Sequence, residues 1–293
     1  MKVSLLYNTK AGEGISAGEL TRQIERGGHE VVRTVQRKGD TAALLEPPAE
    51  LVVAAGGDGT VAAAAKAVAG SNIPLAILPL GTANNVAKSL GVCGALPELI
   101  EGWQHAVRLP FDLGAASGKD EDFLFVEGVG GGLIPAGISA ASQAPAREYA
   151  NVTEEVTADI RRYHEIMLHM APCRVSLAAD GTDISGDYLV VEVLNIPAVG
   201  PNIVFSPDVT PSDGFLSVVT AGEEHRAALL SYLENRIAGR AHQLSLPSRL
   251  VKTIDIDGGG ILHLDDETQR AASLGPLSLR IRPAALHILT PER

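Results

Sequence analysis

The 293-residue chain reads as an α/β domain with a mostly parallel sheet, followed by an antiparallel β-sandwich. Three observations predict this. Up to residue 108, apolar strand-like runs alternate with helix-favouring segments, the signature of βαβ units. From residue 109 to 283, short strand-like runs separated by turn residues replace that alternation, as in a sandwich. Between them in importance stands Leu51–Gly91, in which a strand, a glycine turn and a helix occur twice in succession.

Each element of the first domain has a local reason. Lys2–Tyr7 is a buried strand, and Asn8-Thr9-Lys10-Ala11-Gly12 is the turn after it. A helix over Ile15–Arg26, a strand over Val31–Val35 and a short helix over Thr41–Leu45 follow. Pro47-Pro48 breaks the chain before the apolar run Leu51–Ala55. That run stops at Gly56-Gly57, turns through Asp58 and Gly59, and opens an alanine-rich helix at Thr60, with Val61 next. A second run, Ile73–Leu80, ends in Pro79 and Gly81-Thr82, where Thr82 or Asn84 caps the next helix.

The two turns have a shared chemistry. A strand, a glycine turn and a helix N-terminus aim backbone N–H groups and a positive dipole end at an anion. Gly56, Gly57 and Gly59 carry no Cβ, so a phosphate can approach the backbone closely. Asp58 is the odd member, because a carboxylate repels a bare phosphate. Either a Mg²⁺ lies between them, or Asp58 hydrogen-bonds the neighbouring turn. Neither a P-loop nor a G-x-G-x-x-G fingerprint is present. Turns from neighbouring strands would lie side by side at the sheet edge where open α/β sheets bind ligands.

In the second half, strands are expected at Phe123–Val126, Arg174–Ala178, Tyr188–Leu194, Phe215–Thr220, Ile254–Ile256, Ile261–Leu264 and Leu277–Ile281. One long helical signal interrupts them: Tyr149, Val152, Val156, Ile160, Tyr163, Met167 and Met170 recur at three- and four-residue steps. It reads as a helix covering the sandwich. His164 and His169 are five apart and share no helix face, so they are not a zinc pair.

The pairing of GGDGT at Gly56–Thr60 with LPLGTANN at Leu78–Asn85 resembles the diacylglycerol kinase catalytic family, which includes sphingosine kinases and bacterial lipid kinases. GGDGT alone is shared with NAD kinases and phosphofructokinases; the P-x-G-T-x-N-N element favours the lipid kinases. The resemblance implies a nucleotide-binding domain of the NAD kinase and diacylglycerol kinase type over residues 1–108. Residues 284–293 return to it through a strand at Leu286–Leu289, and residues 109–283 form a sandwich that takes the lipid. It places nucleotide at Asn8, Thr9, Lys10, Ala11, Gly12, Thr34, Gly56, Gly57, Asp58, Gly59, Thr60, Val61, Gly81, Thr82 and Asn84. It implies that Asp213, with the carbonyls of Thr210 and Phe215, holds a structural Mg²⁺, a hard cation suited to oxygen ligands. It makes Asp265 or Glu267 the general base for phosphoryl transfer from ATP to a lipid hydroxyl.

The chain departs from the family's pattern in places. Thr9 replaces a proline, Ala62-Ala63 an Asn-Glu pair, Glu127 an asparagine, and Asp266 the glycine of an Asp-Gly-Glu segment. Asp112-Leu113-Gly114 does match. Two alternatives to a lipid kinase follow: an NAD kinase, or a weak or inactive homologue that binds nucleotide or lipid.

Composition narrows the setting. A formal charge of −11 argues against nucleic acid as a partner and against bulk attraction to anionic membranes. Two cysteines cannot build a disulfide framework, which fits a reducing cytoplasm. No signal-peptide pattern and no apolar run of 18 residues is present, so the enzyme is expected to visit a membrane surface for its lipid. A homodimer is compatible with the sequence.

Overall fold

The computed structural model describes residues 1–8, 15–145 and 147–292. Two compact units emerge: Met1–Leu113 together with the chain from Pro283 onward, and Gly114–Arg282.

In the first unit, β1 (Lys2–Tyr7), β2 (Glu30–Gln36), β3 (Leu51–Gly56) and β4 (Leu75–Pro79) pair in the order β4-β3-β1-β2, every pair parallel. α1 (Ala17–Arg26) starts at Ser16, whose side chain accepts the Glu19 N–H, and buries Leu20 and Ile24. α2 (Asp58–Val68) lies against β3 and the 3₁₀ turn at Thr41–Leu45. α3 (Asn85–Ser89) and α4 (Leu96–Gly102) follow β4. Leu5, Val53 and Leu78 meet Leu20, Ile24 and Ile100 in one apolar core. Burial of each such side chain stabilises by about 1.5–3 kcal/mol.

The chain leaves this unit through β5 (Val107–Ser117), whose last residues form a hairpin with β6 (Asp122–Phe125). In the second unit, β7 (Gly128–Gly132) leads into α5 (Leu133–Gln143) and then α6 (Val152–His169). The strands β8 (Cys173–Ala179), β9 (Thr182–Asp183), β10 (Gly186–Tyr188) and β11 (Val190–Leu194) come next. After the small hairpin of β12 (Ala198–Val199) and β13 (Ile203–Val204) come β14 (Leu216–Ala221) and α7 (Arg226–Ile237). The chain then forms β15 (Ser248–Val251), β16 (Thr253–Gly258), β17 (Ile261–Leu264), β18 (Glu267–Arg270), α8 (Ala271–Leu274) and β19 (Leu277–Thr290).

One antiparallel sheet of this unit has the order β15-β14-β11-β7-β17-β18. Facing it, β10, β8, β16 and the first half of β19 pair antiparallel. Val191 and Val193 of β11, Val218 of β14 and Leu262 of β17 interlock with Val175, Leu177, Ile254 and Leu277. That interface is the sandwich core. On the other side of the first sheet, Val190, Leu194 and Val219 meet Leu133, Ile160, Tyr163, Met167, Leu229 and Tyr232. The sandwich thus carries a third layer of helices.

The last residues of β19 return to the first unit, where Ile288 pairs parallel with Leu75 of β4. At the bend, Ala284 takes a φ of 47° and its N–H donates to the buried Asp112 carboxylate at 2.7 Å.

One expectation about elements needs correction, and the structure adds two features to the others. α2 begins at Asp58 rather than Thr60, so Ala62 and Ala63 fall in its second turn. The glycine run at residues 128–132 is a central strand, although glycine disfavours strands. α6 is the expected cover for the sandwich, but α5 and α7 share that task. Their ends carried no strong cap signal: neither α5 nor α7 has a side-chain N-cap bond.

Candidate functional site

In the first unit, strand order places a topological switch between β1 and β3: the chain moves to one side through β2 and to the other through β4. Open α/β sheets bind ligands at the carboxyl ends of strands flanking such a point. Asn8 ends β1 there, and its N–H donates to the Ala55 carbonyl at 3.1 Å. The Gly56-Gly57 turn ends β3, and the Gly81-Thr82 turn follows β4, whose Pro79 registers on Gly56.

The two glycine turns touch. A Cβ on Gly57 would lie 3.2 Å from the Gly81 Cα, and a Cβ on Gly81 would overlap the Gly57 Cα. A Cβ on Gly56 would overlap the Thr60 hydroxyl. Backbone therefore meets backbone where the two turns approach each other. The Thr60 and Val61 N–H groups donate to the Gly57 carbonyl, so the N–H groups that precede them are the ones without an intrahelical acceptor, the electrostatic basis of anion binding at such an end. Thr60 Oγ1 is buried and has no hydrogen-bond partner among the described residues.

Asp58 takes the second of its two expected arrangements: Oδ1 accepts the Val86 N–H at 3.0 Å, tying α2 to α3. Burial raises its carboxyl above the ordinary value, against the N–H groups of Val86 and Asn85 and the Lys88 charge. Asn84 does not cap α3 through its side chain. It sits in the left-handed region at φ 51°, accepts the Gly81 N–H at 2.9 Å and donates to the Gly81 carbonyl at 2.6 Å. The glycine loop is thereby closed by its own asparagine. Thr82 is half-buried in the same loop, Gly59 stands in the first turn of α2, and Val61 is buried beneath it.

Thr34 is exposed on β2, the edge strand, opposite Leu5 of β1. At about 4.8 Å per strand it lies roughly 10 Å from β3. Thr9, Lys10, Ala11 and Gly12 lie outside the described residues.

The second unit holds a separate acidic turn. Asp265 and Asp266 link β17 to β18, with Leu264 paired to Glu267 across the hairpin. Asp265 is only 6% exposed. Its Oδ1 accepts the N–H groups of Val126 and Glu127, each at 2.8 Å, and its own N–H donates to the Gly128 carbonyl. From the other side, Asn195 donates its side-chain amide to the Val126 carbonyl at 3.0 Å and its backbone N–H to the Glu127 carbonyl at 2.9 Å. Glu267, in contrast, is exposed. The two candidate carboxylates are therefore unlike: one clamps backbone, the other faces outward. The turn's positive φ, 53°, falls on Asp265 and not on Asp266, so aspartate in the glycine's place strains nothing.

Asn195 and the backbone it grips escaped sequence reasoning. A buried asparagine among valines and leucines in β11's sequence neighbourhood was the available signal.

Asp213 lies on an exposed turn before β14. Its Oδ1 accepts the Phe215 N–H at 2.9 Å, and Oδ2 accepts the Thr210 N–H at 3.4 Å and hydroxyl at 3.2 Å. The Thr210 carbonyl in turn accepts the Asp213 N–H. Hard oxygens are present on one loop, which suits Mg²⁺, but the aspartate already holds the loop by itself. No cluster of three His, Cys, Asp or Glu side chains forms a metal site among the described residues.

Residues 2–116 match the diacylglycerol kinase catalytic domain, and residues 132–290 match the YegS C-terminal NAD kinase beta sandwich-like domain. The diacylglycerol kinase of Mycobacterium tuberculosis (strain ATCC 25618 / H37Rv) is 26% identical over 310 residues, covering 99% of this chain and 96% of the relative. A Pseudomonas putida protein named "Probable lipid kinase YegS-like" is 30% identical over 244 residues, covering 82% and 77%. A crystal structure of a diacylglycerol kinase from Bacillus anthracis superposes with a TM-score of 0.73 at 21% identity, over 99% of this chain and 96% of that one. At that identity it establishes the fold alone. With its catalytic and C-terminal domains both matched, the chain belongs to the diacylglycerol kinase and YegS-like lipid kinase family and is a phosphotransferase of the kinase type.

Proposed function

We propose that this kinase transfers the γ-phosphoryl group of ATP, with Mg²⁺, to a hydroxyl of diacylglycerol or a related lipid. The observation that carries this reading is the direct contact of the Gly57 and Gly81 backbones beside the sheet's switch point, at the carboxyl ends of β3 and β4. Phosphates need bare amides at a helix N-terminus, and the start of α2 offers them with the Gly81-Thr82 turn packed against it, its own Gly81 N–H held by Asn84. Gly56 to Val61, Gly81, Thr82 and Asn84 would line the nucleotide, with Asn8 beside them. Asn8-Gly12 and Thr34 complete the set in this reading.

Of the two candidate carboxylates, Glu267 is the proposed general base, because it is exposed while Asp265 is buried. Asp265 has the prior task of holding Val126 and Glu127. When bound, Mg²⁺ offsets phosphate charge, and the Asp213 loop, with Thr210 and Phe215, is the proposed structural cation site. The lipid is met at the membrane surface from the cytoplasm. No helix among the described residues is long and apolar enough to cross a membrane.

A transfer assay with radiolabelled ATP and dioleoylglycerol in detergent micelles, run beside one with NAD, tests the proposal. Label must enter the lipid, require Mg²⁺ and fall in a Gly81→Ala variant. Label in NAD alone would make the chain an NAD kinase. ATP binding with transfer to neither would leave the nucleotide-binding homologue.

A further inference from the structure

Beneath the acidic turn lies an ionisable pair that the proposed transfer does not use. Glu192 of β11 and His263 of β17 are both 0% exposed, and His263 Nε2 stands 2.8 Å from Glu192 Oε2. Their strands are not neighbours. β7 runs between them, and both residues register on Gly130. A Cβ at Gly130 would overlap the Glu192 carboxylate. The absent side chain is what lets two long side chains meet across an intervening strand. Val190 and Leu194, two residues to either side of Glu192, belong to the core under the helices, so the pair faces α5 and α6.

The second ring nitrogen fixes the protons. His263 Nδ1 lies 2.9 Å from the Asp265 carbonyl, and a carbonyl only accepts, so Nδ1 carries hydrogen. Nε2 then either accepts from a protonated Glu192 or donates, as imidazolium, to its carboxylate. Burial alone would push the imidazole down, but the Glu192 charge and hydrogen bond and the Asp265 carbonyl carry it above the ordinary histidine value. Burial raises the Glu192 carboxyl in turn. Tyr163 of α6, an ionisable group whose neighbours are Asp159 and Arg162, also faces Glu192. Neither α5 nor β7 contributes one.

A buried ion pair is a poor device for stability alone, since apolar side chains of similar volume do as well or better. Here Glu192 Oε1 even lacks a partner among the described residues. What the pair does grip is the backbone of Asp265, a non-glycine residue at φ 53°, where few residues sit unless their surroundings demand it.

We propose that Glu192 and His263 are positioning residues: through the Asp265 carbonyl they hold the turn from which Asp265 clamps Val126-Glu127 and Glu267 presents its carboxylate. The catalytic part of this inference rests on reading Glu267 as the base.

The test compares the full-length wild type with Glu192→Gln and with the double variant Glu192→Leu plus His263→Leu, whose apolar pair avoids an unpaired buried charge. The glutamine amide can still donate to Nε2, so Nδ1 keeps its hydrogen and its bond to Asp265. Amide hydrogen exchange reports on the Val126 and Glu127 N–H groups, and transfer from ATP to dioctanoylglycerol in Triton X-100 micelles reports on kcat and KM. In the double variant, exchange at Val126 and Glu127 should rise while β11 and β14 keep their protection. Its kcat should fall about 10–100-fold with the KM for ATP little changed. Glu192→Gln should stay near wild type in both. Wild-type exchange at the two amides in the double variant, or a uniform rise over the whole unit, overturns the proposal. A large kcat loss in Glu267→Gln with none in the double variant overturns it too, and leaves the assignment of Glu267 standing. Full kcat in Glu267→Gln removes that assignment and the pair's catalytic role together.

Discussion

The glycine turns of the first unit and the acidic turn of the second are built on opposite principles. At Gly56-Gly57 and Gly81 the surface is backbone: a Cβ on Gly56 would collide with Thr60, one on Gly81 with Gly57, and one on Gly57 would crowd Gly81. At Asp265 the surface is made of side chains, and backbone from distant segments is held in place by them: Val126 and Glu127 by Asp265, and Asp265 by His263. A backbone site demands particular residues at fixed short spacings. A side-chain site demands only that the fold bring suitable groups together. The first therefore tolerates almost no substitution at its glycines, while the second should separate into residues that act and residues that hold.

The sharpest break between acting and holding lies inside the acidic turn. Glu267→Gln should lower kcat by about 10²–10⁴-fold while leaving the melting temperature near wild type, because the side chain is exposed. Asp265→Ala should do the reverse in emphasis: two buried N–H groups lose their acceptor, at about 1–3 kcal/mol each, and the protein melts earlier. Kinetics and thermal melts on both variants decide it. If Asp265→Ala stays as stable as wild type, the two carboxylates are not divided as described.

The glycine site gives the next largest effect. In Gly81→Ala the new methyl group must push apart two backbones, which costs about 1–3 kcal/mol, and the distorted turns should lose most of their ATP affinity. Gly57→Ala meets the same neighbour at 3.2 Å and should be milder in both respects. Calorimetric titration of ATP into the folded variants ranks them; the opposite order would mean that Gly57, not Gly81, is the tighter approach.

At the Asp213 loop, a fall in stability does not by itself identify a cation. Asp213→Ala removes three hydrogen bonds within the turn and should lower the melting temperature slightly even without metal. The discriminating measurement is the Mg²⁺ dependence of melting, since a ligand bound by the native state alone stabilises it by mass action. That dependence should vanish in the variant. Equal Mg²⁺ shifts in both proteins would move the cation elsewhere.

The smallest effect concerns Asp58. Because burial raises its folded value above the unfolded one of 3.8, the folded state holds this proton more tightly. The stability this gives is full below the unfolded value and is lost as pH rises through the folded one. Asp58→Asn keeps an oxygen for the Val86 N–H and removes the charge. Its melting temperature should match or exceed wild type at pH 7, and the gap should close towards about pH 4. A gap that widens on acidification would reverse the assignment.

Much of the first unit was legible before the structure, and for a local reason. Parallel strands buried on both faces, such as Leu51–Gly56, read as continuous apolar runs, and their glycine turns stand out against the helices that follow. Two details there were not legible. Asp58 at the start of α2 bonds the neighbouring α3, and the inward turn of Asn84 closes its own loop on Gly81 through backbone that its side chain must meet in space. In the second unit, β7 was hidden because its glycines carry no strand propensity. They are needed where Glu192 and His263 cross above Gly130, a requirement set by strands far away in sequence.

By itself, then, the sequence determined the family, the order of the two folds and the pair of glycine turns, because strand period, turn residues and missing Cβ atoms act over a few neighbouring positions. Tertiary structure alone decided that Gly57 and Gly81 touch, that Asp58 binds α3, and that Asp265 faces inward while Glu267 faces outward. Burial and hydrogen-bond partners belong to groups brought together from 28 to 139 residues apart, and no local pattern of side chains encodes them.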